Sequence, residues 1–348
     1  MRLRSRKRSI TSSVSVTNTS QALSPKHTKK RAVTSSYSSL GAKNFRQKIP
    51  VLCTRSESTT HATSDSKVLL RYPTLIPARL IRRYKRFLAD VVLHDEKIKN
   101  ESTTHDRAEE VVTVYCPNTG PMVGLLEGLP HARVQLSKSD DSKRKYAYTL
   151  EMIEIYNGEK YVWVGVHSTM ANRMVEQALA TRLFSELGDY DVVKREVKFS
   201  KNSRVDFVLT TYDHDGTIAH EKYVEVKSVT LALSDSADTL SRCAMFPDTV
   251  SIRAQKHVAE LTKLLQDQIE TEASNEKVSG AIIFLVQRDD CNGFAPSVLH
   301  DKKFASLCTV AKKKGVQLLG YSCALIPDEK KLSGIVQLLG PLSLRSAE

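Results

Sequence analysis

"SRVDFVLTTYDHDGTIAHEKYVEVK", residues 203–227, sets two Val- and Thr-rich runs on either side of Asp215-Gly216. Asp-Gly between two alternating runs is a two-residue hairpin signal. With that loop, paired positions add to 431, and Asp206 faces Glu225. Side chains two apart in a strand point the same way, so Glu225 and Lys227 share one face while Val224 and Val226 take the other.

Directly opposed Cβ atoms lie roughly 4.5–5.5 Å apart, where like charges are destabilising. Two readings follow. In one, Arg204 lies opposite Lys227 and the acids pair with them diagonally as surface ion pairs, each worth about 0–1 kcal/mol. In the other, a cation fills the gap between the carboxylates. A hard divalent ion such as Mg²⁺ takes carboxylate oxygens at about 2.0–2.1 Å and keeps several waters. Lys227 would stand beside such a water, which is a hydrolytic arrangement in outline.

The flanking pattern alternates between helices and strands. Residues 172–187, "NRMVEQALATRLFSEL", have an apolar stripe of Val175, Ala178, Leu179, Leu183 and Leu187, with Asn172 as N-cap. Glu176 lies at the margin of that stripe and within reach of the sheet. Strands are predicted at 192–199, 204–212 and 221–229, a helix over 250–270, a strand at 280–288, a helix at 301–313 and a strand from Val316. This order puts helices on a central sheet with at least one parallel pair. The second helix opens with "SIRAQKH", placing Arg253, Gln255, Lys256 and His257 in its first turns, where a phosphate can dock.

Upstream, short strand-like runs recur at 86–93, 110–116, 132–136, 146–156 and 161–166, the pattern of a small barrel or sandwich. "LIRRYKRFLAD" (80–90) puts Arg82, Tyr84 and Arg86 on one strand face, and "KRKYAY" (143–148) repeats the basic and aromatic mixture. Such faces suit nucleic acid, because cations track phosphates and rings stack on bases. A basic edge strand that discourages aggregation is the alternative.

The net charge of +13 is concentrated at one end: residues 1–60 carry thirteen Lys and Arg against one acid, Glu57. That segment is dense in Ser and Thr without strand or helix period, so disorder is expected. Its acid-poor composition resembles an organellar transit peptide, while "RLRSRKR" and "KHTKKR" resemble nuclear-import or nucleic-acid-binding clusters; both imply a eukaryotic address. The longest apolar run near a strand signal, "AIIFLV" (281–286), is far short of the roughly 20 residues of a membrane-spanning helix, so a soluble, intracellular protein is expected. Six scattered cysteines without a C-x-x-C pair suggest neither zinc nor a disulfide framework, and fit a reducing compartment.

Taken together, "LIRRYKRFLADV", "CPNTG", "SKSDDSKRKYAYTLE", "WVGV", "NRMVEQAL", "REVKF", "SRVDFVL", "YVEVKSVTL", "MFPD" and "RAQKH" occur in the order of the sugar fermentation stimulation protein A family, and the chain resembles it from about Pro77 to Pro327. The resemblance implies an α/β (α+β) chain: a basic tail over 1–70, a small OB-fold β-barrel over 73–143, and a mixed-sheet domain similar to PD-(D/E)xK nucleases over 144–335.

It also implies nucleic-acid binding, most of all DNA with little sequence preference. Asp206, Glu225 and Lys227 match the catalytic D and E-x-K of that superfamily, and Glu176 matches the acid on the preceding helix. Asp206, Glu225 and the Val226 carbonyl would hold Mg²⁺ or Mn²⁺. Arg82, Arg83, Tyr84, Lys85, Arg86, Lys143, Arg144 and Lys145, with Arg253, Gln255, Lys256 and His257, would contact nucleic acid. A metal-dependent nuclease is the first functional expectation, and a non-catalytic DNA-binding regulator that retains the fold is the second. Pro121, Ala171, Ser228 and Ile252 depart from the family pattern.

Overall fold

The computed structural model describes residues 49–50, 64–93, 110–200, 203–234, 241–270 and 277–346. The basic tail, apart from the short pieces at 49–50 and 64–70, and the polar stretch 97–109, "KIKNESTTHDRAE", read from the sequence as an extended hairpin loop, lie outside the described residues.

The first sheet contains β2 (Ile76–Tyr84), β3 (Leu88–Leu93), β4 (Val111–Tyr115), β5 (Ala132–Lys138), β6 (Tyr148–Tyr156) and β7 (Tyr161–Gly165). They pair in the order β4-β3-β2-β5-β6-β7, and a parallel bridge from Tyr115 to Thr149 joins β4 to β6 and closes the sheet on itself. Inward residues alternate along each strand, among them Leu80, Val91, Val114, Leu136, Leu150 and Val164, and they form the barrel core. The boundary expected at 143/144 therefore falls too early. Residues 148–165 complete the barrel, because Val134–Lys138 pair with Tyr148–Ile153.

The tail expected over 1–70 also runs too far. β1 (Val68–Tyr72) pairs antiparallel with β16 (Ser333–Leu344), in the second sheet. Besides the two-residue piece Ile49–Pro50, which pairs at one edge with Val192–Val193, the other strands of that sheet are β8 (Val192–Lys198), β9 (Arg204–Tyr212), β10 (Ile218–Val229), β11 (Leu231–Ser234), β12 (Arg242–Phe246), β13 (Lys277–Val286), β14 (Gly293–Pro296) and β15 (Gln317–Asp328). The order is β8-β9-β10-β13-β15-β16-β14-β12-β11. β10, β13 and β15 are parallel neighbours, which confirms the parallel pair expected from the alternating pattern.

Helices cover both faces. α1 (Met170–Ala180) packs Met174, Val175, Ala178 and Leu179 against Phe207, Val224, Val226, Ala281, Ile283 and Leu285. α2 (Ile252–Glu270) and α3 (Val298–Lys313) pack Val258, Leu261, Phe304 and Cys308 against Ile282, Phe284 and Val286. Ala281–Val286 thus feeds alternate side chains to two cores, which is why it reads as a continuous apolar run.

α1 is shorter than the 172–187 segment expected, ending at Ala180 before a 3₁₀ turn at Ser185–Leu187. Its N-cap is Thr169, so Asn172 lies inside the first turn with its side chain free for other work. Five strands, β1, β11, β12, β14 and the twelve-residue β16, were absent from the sequence reading. The described cysteines, Cys116, Cys243, Cys291, Cys308 and Cys323, are all free and buried.

Candidate active site

β9 and β10 pair as Phe207↔Val224 through Thr211↔His220, so the register adds to 431 as the hairpin arithmetic requires. The loop itself is longer than two residues: Tyr212 pairs with Ile218, Asp213 N–H bonds to the Thr217 carbonyl, and an irregularity at Thr211/Tyr212 restores the register. The ladder ends at Phe207↔Val224; the next residues on the two strands are Asp206 and Glu225, close enough for the charge of one to act on the other.

The face that carries Glu225 and Lys227 is not a wet side of the sheet. α2 covers it, and Glu225 and Lys227 are 5% and 8% exposed. Lys227 Nζ donates to Glu225 Oε1 at 2.6 Å, and His257 Nδ1 lies 2.5 Å from the same oxygen. Oε2 takes part in neither bond. Asp206 Oδ2 accepts the Val226 N–H at 2.7 Å, and its Oδ1 accepts from Asn172 Nδ2 at 2.7 Å. Arg204 pairs with Glu196 at 3.7 Å instead of the two acids, so the surface ion-pair network considered above does not form.

The two carboxyls titrate apart. Burial and then the charge of Glu225 push Asp206 above the ordinary aspartate range, against the pull of the Val226 amide, Lys227 and Asn172. Burial also pushes Glu225 up, but the Lys227 ammonium and the His257 contact outweigh it and hold Glu225 below its usual range. Opposite shifts in two adjacent acids, one buried and one half-buried, are a pattern found at functional sites.

Both acids open onto a cavity of about 680 Å³, lined also by Arg86 and Gly120 of the barrel, Asn172 and Arg173 of α1, Arg195 of β8, Lys227, and Arg253 of α2. Among the described residues, no group of three or more His, Cys, Asp and Glu converges as a metal cluster. The acids that a cation would meet here are two carboxylates, a set that suits an ion that keeps several waters.

Other expected site residues go elsewhere. Glu176 pairs with Arg195 at 2.9 Å and is not among the cavity-lining residues. Gln255 is buried and donates to both carboxylate oxygens of Asp301, at 2.9 and 3.0 Å, tying α2 to α3. His257 serves Glu225. Lys256 is exposed beside Glu260 at 3.7 Å. Arg82 pairs with Asp90 at 2.8 Å and lies over the Tyr84 ring, whose hydroxyl also bonds to Asp90.

Arg83 donates to the carbonyls of Arg86, Asn118 and Gly120, clamping the "CPNTG" loop to the β2–β3 turn. β2 stops at Tyr84, so Lys85 and Arg86 occupy that turn with positive φ, and Arg86 does not share a strand face with Arg82. Lys143 and Arg144 lie in an exposed turn closed on Asp141, and Lys145 lies over the Tyr146 ring. None of these three lines the cavity. Sequence reasoning missed Arg173 and Arg195 as lining residues and Asn172 as a partner of Asp206; "NRMVEQAL" and "REVKF" held them in plain view.

The model of the sugar fermentation stimulation protein N-terminal OB domain matches residues 81–166, and the model of the RE domain of the same protein matches 169–329. The chain belongs to the sugar fermentation stimulation protein (SfsA) family. Curated SfsA homologues include one from Acaryochloris marina, 41% identical over 268 residues that cover 77% of this chain and 94% of the homologue. Another, from Nostoc punctiforme, is 39% identical over 272 residues, covering 78% and 98%. A solved structure described as Pyrococcus furiosus SfsA in complex with Ca²⁺ superposes with a TM-score of 0.61 at 23% identity, covering 80% of this chain and 99% of that one. That likeness shows the SfsA fold. Among the described residues no helix is long and apolar enough to cross a membrane.

Proposed function

We propose that this SfsA-family chain is a divalent-metal-dependent phosphodiesterase acting on nucleic acid, with DNA as its first candidate substrate. The observation that carries the reading is the half-buried Asp206 beside the buried Glu225, with Lys227 bonded to Glu225. Asp206 held above its ordinary range is a carboxyl short of compensating cation, and one divalent ion between the two acids supplies it. The donor set is all oxygen, which suits Mg²⁺ or Mn²⁺, and the P. furiosus relative described with Ca²⁺ supports a hard cation.

Asp206, Glu225 and the Val226 carbonyl would hold the ion. When bound, Mg²⁺ or Mn²⁺ supplies Lewis-acid polarisation of a phosphoryl oxygen and a more acidic water. The protein's own groups do the rest. Val226 N–H and Asn172 fix the Asp206 carboxylate, and His257 Nδ1 fixes Glu225. Lys227 Nζ puts a positive charge beside the reacting phosphate and orients the attacking water. Holding both acids at set positions before substrate arrives avoids reorganisation during the reaction.

The test is plasmid cleavage by the purified protein in Mg²⁺ or Mn²⁺, beside Asp206→Asn. The reading expects cutting by the wild type that chelator and the variant abolish. Equal cutting by both removes the site from consideration, and a wild type that binds DNA without cutting replaces this reading with the non-catalytic one.

A further inference from the structure

The barrel's basic residues were expected to meet nucleic acid on a strand face. Arg86 instead joins the barrel to the acid pair. It stands in the β2–β3 turn of the barrel yet lines the same cavity as Asp206 and Glu225. Three further arginines line that cavity from three other elements: Arg173 on α1, Arg195 on β8 and Arg253 at the start of α2. All four are exposed.

Their placement is built. Arg83 reaches across the base of the turn to the Arg86, Asn118 and Gly120 carbonyls, at 2.6, 2.7 and 2.9 Å, and holds Arg86 and the "CPNTG" loop at the cavity wall. From the other side, Asp248 fastens the loop by accepting the Met122 N–H at 3.1 Å. Glu176, bonded to Arg195 at 2.9 Å, steadies that guanidinium at the rim. The acids of the cavity wall outside the central pair are spoken for: Asp248 by the loop amides, and Glu196 by Arg204 at 3.7 Å.

Resting on the phosphodiesterase reading, we propose that Arg86, Arg173, Arg195 and Arg253 form one phosphate-gripping rim, so that the barrel turn is a wall of the active site. Planar guanidiniums in bidentate reach of phosphate oxygens are the groups best suited to this task. Four of them on four elements around one acid pair match a chain with phosphates on both sides of the scissile one. The substrate class is therefore a polynucleotide engaged by both domains at once, in preference to a mononucleotide or a small diester. Glu176 is a positioning residue for Arg195 and no ligand to metal.

The full-length protein is titrated into a short fluorescently labelled DNA duplex in EDTA over a series of salt concentrations, so that binding is read without hydrolysis. Arg86→Ala and Arg173→Ala are each expected to weaken binding roughly tenfold, the scale of one charge-assisted contact. Each should also flatten the salt dependence by about one phosphate contact. Arg79→Ala, at an exposed site on the same barrel but outside this cavity, keeps wild-type affinity. Glu176→Gln weakens binding in the wild type and has no further effect beside Arg195→Ala. Wild-type affinity and slope in Arg86→Ala and Arg173→Ala, or an equal loss in Arg79→Ala, overturns the rim. Loss of cleavage in Asp206→Asn with these binding results unchanged bears on the chemistry alone.

Discussion

Asp206 Oδ2 accepts the amide proton of Val226, the residue between Glu225 and Lys227, at 2.7 Å. The bond ties the acid of one strand to the backbone of the next at the point where the other acid departs. The two carboxylates are thus locked in separation by the sheet itself, and no long side chain has to be ordered to bring them together.

Asp206→Asn should stabilise the metal-free protein. A carboxyl whose folded value is raised above its unfolded one binds its proton more tightly when folded, so its ionised form at neutral pH opposes folding. A neutral amide removes that cost. In chelator the melting temperature of the variant is expected to rise by a few degrees, about 1 kcal/mol. Added Mg²⁺ should raise the wild type by mass action and leave the variant unmoved.

Lys227→Met should cut turnover by roughly 10²–10³-fold, the scale of removing one charge-stabilising donor from a dry site. Glu225 keeps its contact with His257, so the fold should survive. Rates with saturating metal, compared with circular dichroism of the same sample, check this. A variant that cleaves normally would assign the lysine to structure.

Arg288 and Asp290 form a fully buried bidentate pair, at 2.6 and 2.7 Å, to which Asn157 of the barrel also donates at 3.0 Å. Burial raises the Asp290 carboxyl, but Arg288 and its hydrogen bonds win and hold it below the ordinary range. A depressed acid contributes stability that is whole above its unfolded value, about pH 4, and is lost as pH falls through the folded one. Asp290→Ala strands the guanidinium and should cost about 3–5 kcal/mol. Urea denaturation at neutral pH measures it, and the difference between wild type and variant should shrink in acid.

Gly120→Ala places a Cβ 2.6 and 2.7 Å from the Asp248 carboxylate oxygens, closer than real Cβ contacts come. The loop must shift, at a cost of about 1–3 kcal/mol. Asp248→Ala in the same chain removes the clash, so the two changes should couple and the double variant should be more stable than additivity gives. Thermal melts of the four proteins test this; strict additivity would deny the contact.

The central hairpin was legible because its register is set by strand alternation, and the register held although the loop is five residues long instead of two. The irregularity between Thr211 and Tyr212 absorbs the difference. Glu176 and Gln255 were misread for a shared reason. Helical spacing says which face a side chain occupies but not which neighbour it meets, and those neighbours, Arg195 and Asp301, lie 19 and 46 residues away. The barrel boundary was missed because the partner of "YAYTLEMIEIY" is a strand, Ala132–Lys138, that had already been read as belonging to the other side of the cut. β14 and β16 carry Gly and Pro, Gly293–Pro296 and Gly340-Pro341, which read as turns until a neighbouring strand pairs with them.

The most direct measurement is a calorimetric titration of Mn²⁺ into the full-length protein and into Asp206→Asn, with no nucleic acid present. The account predicts one saturable site in the wild type that disappears in the variant. Identical isotherms from the two proteins, or no heat from either, would contradict a cation shared by Asp206 and Glu225.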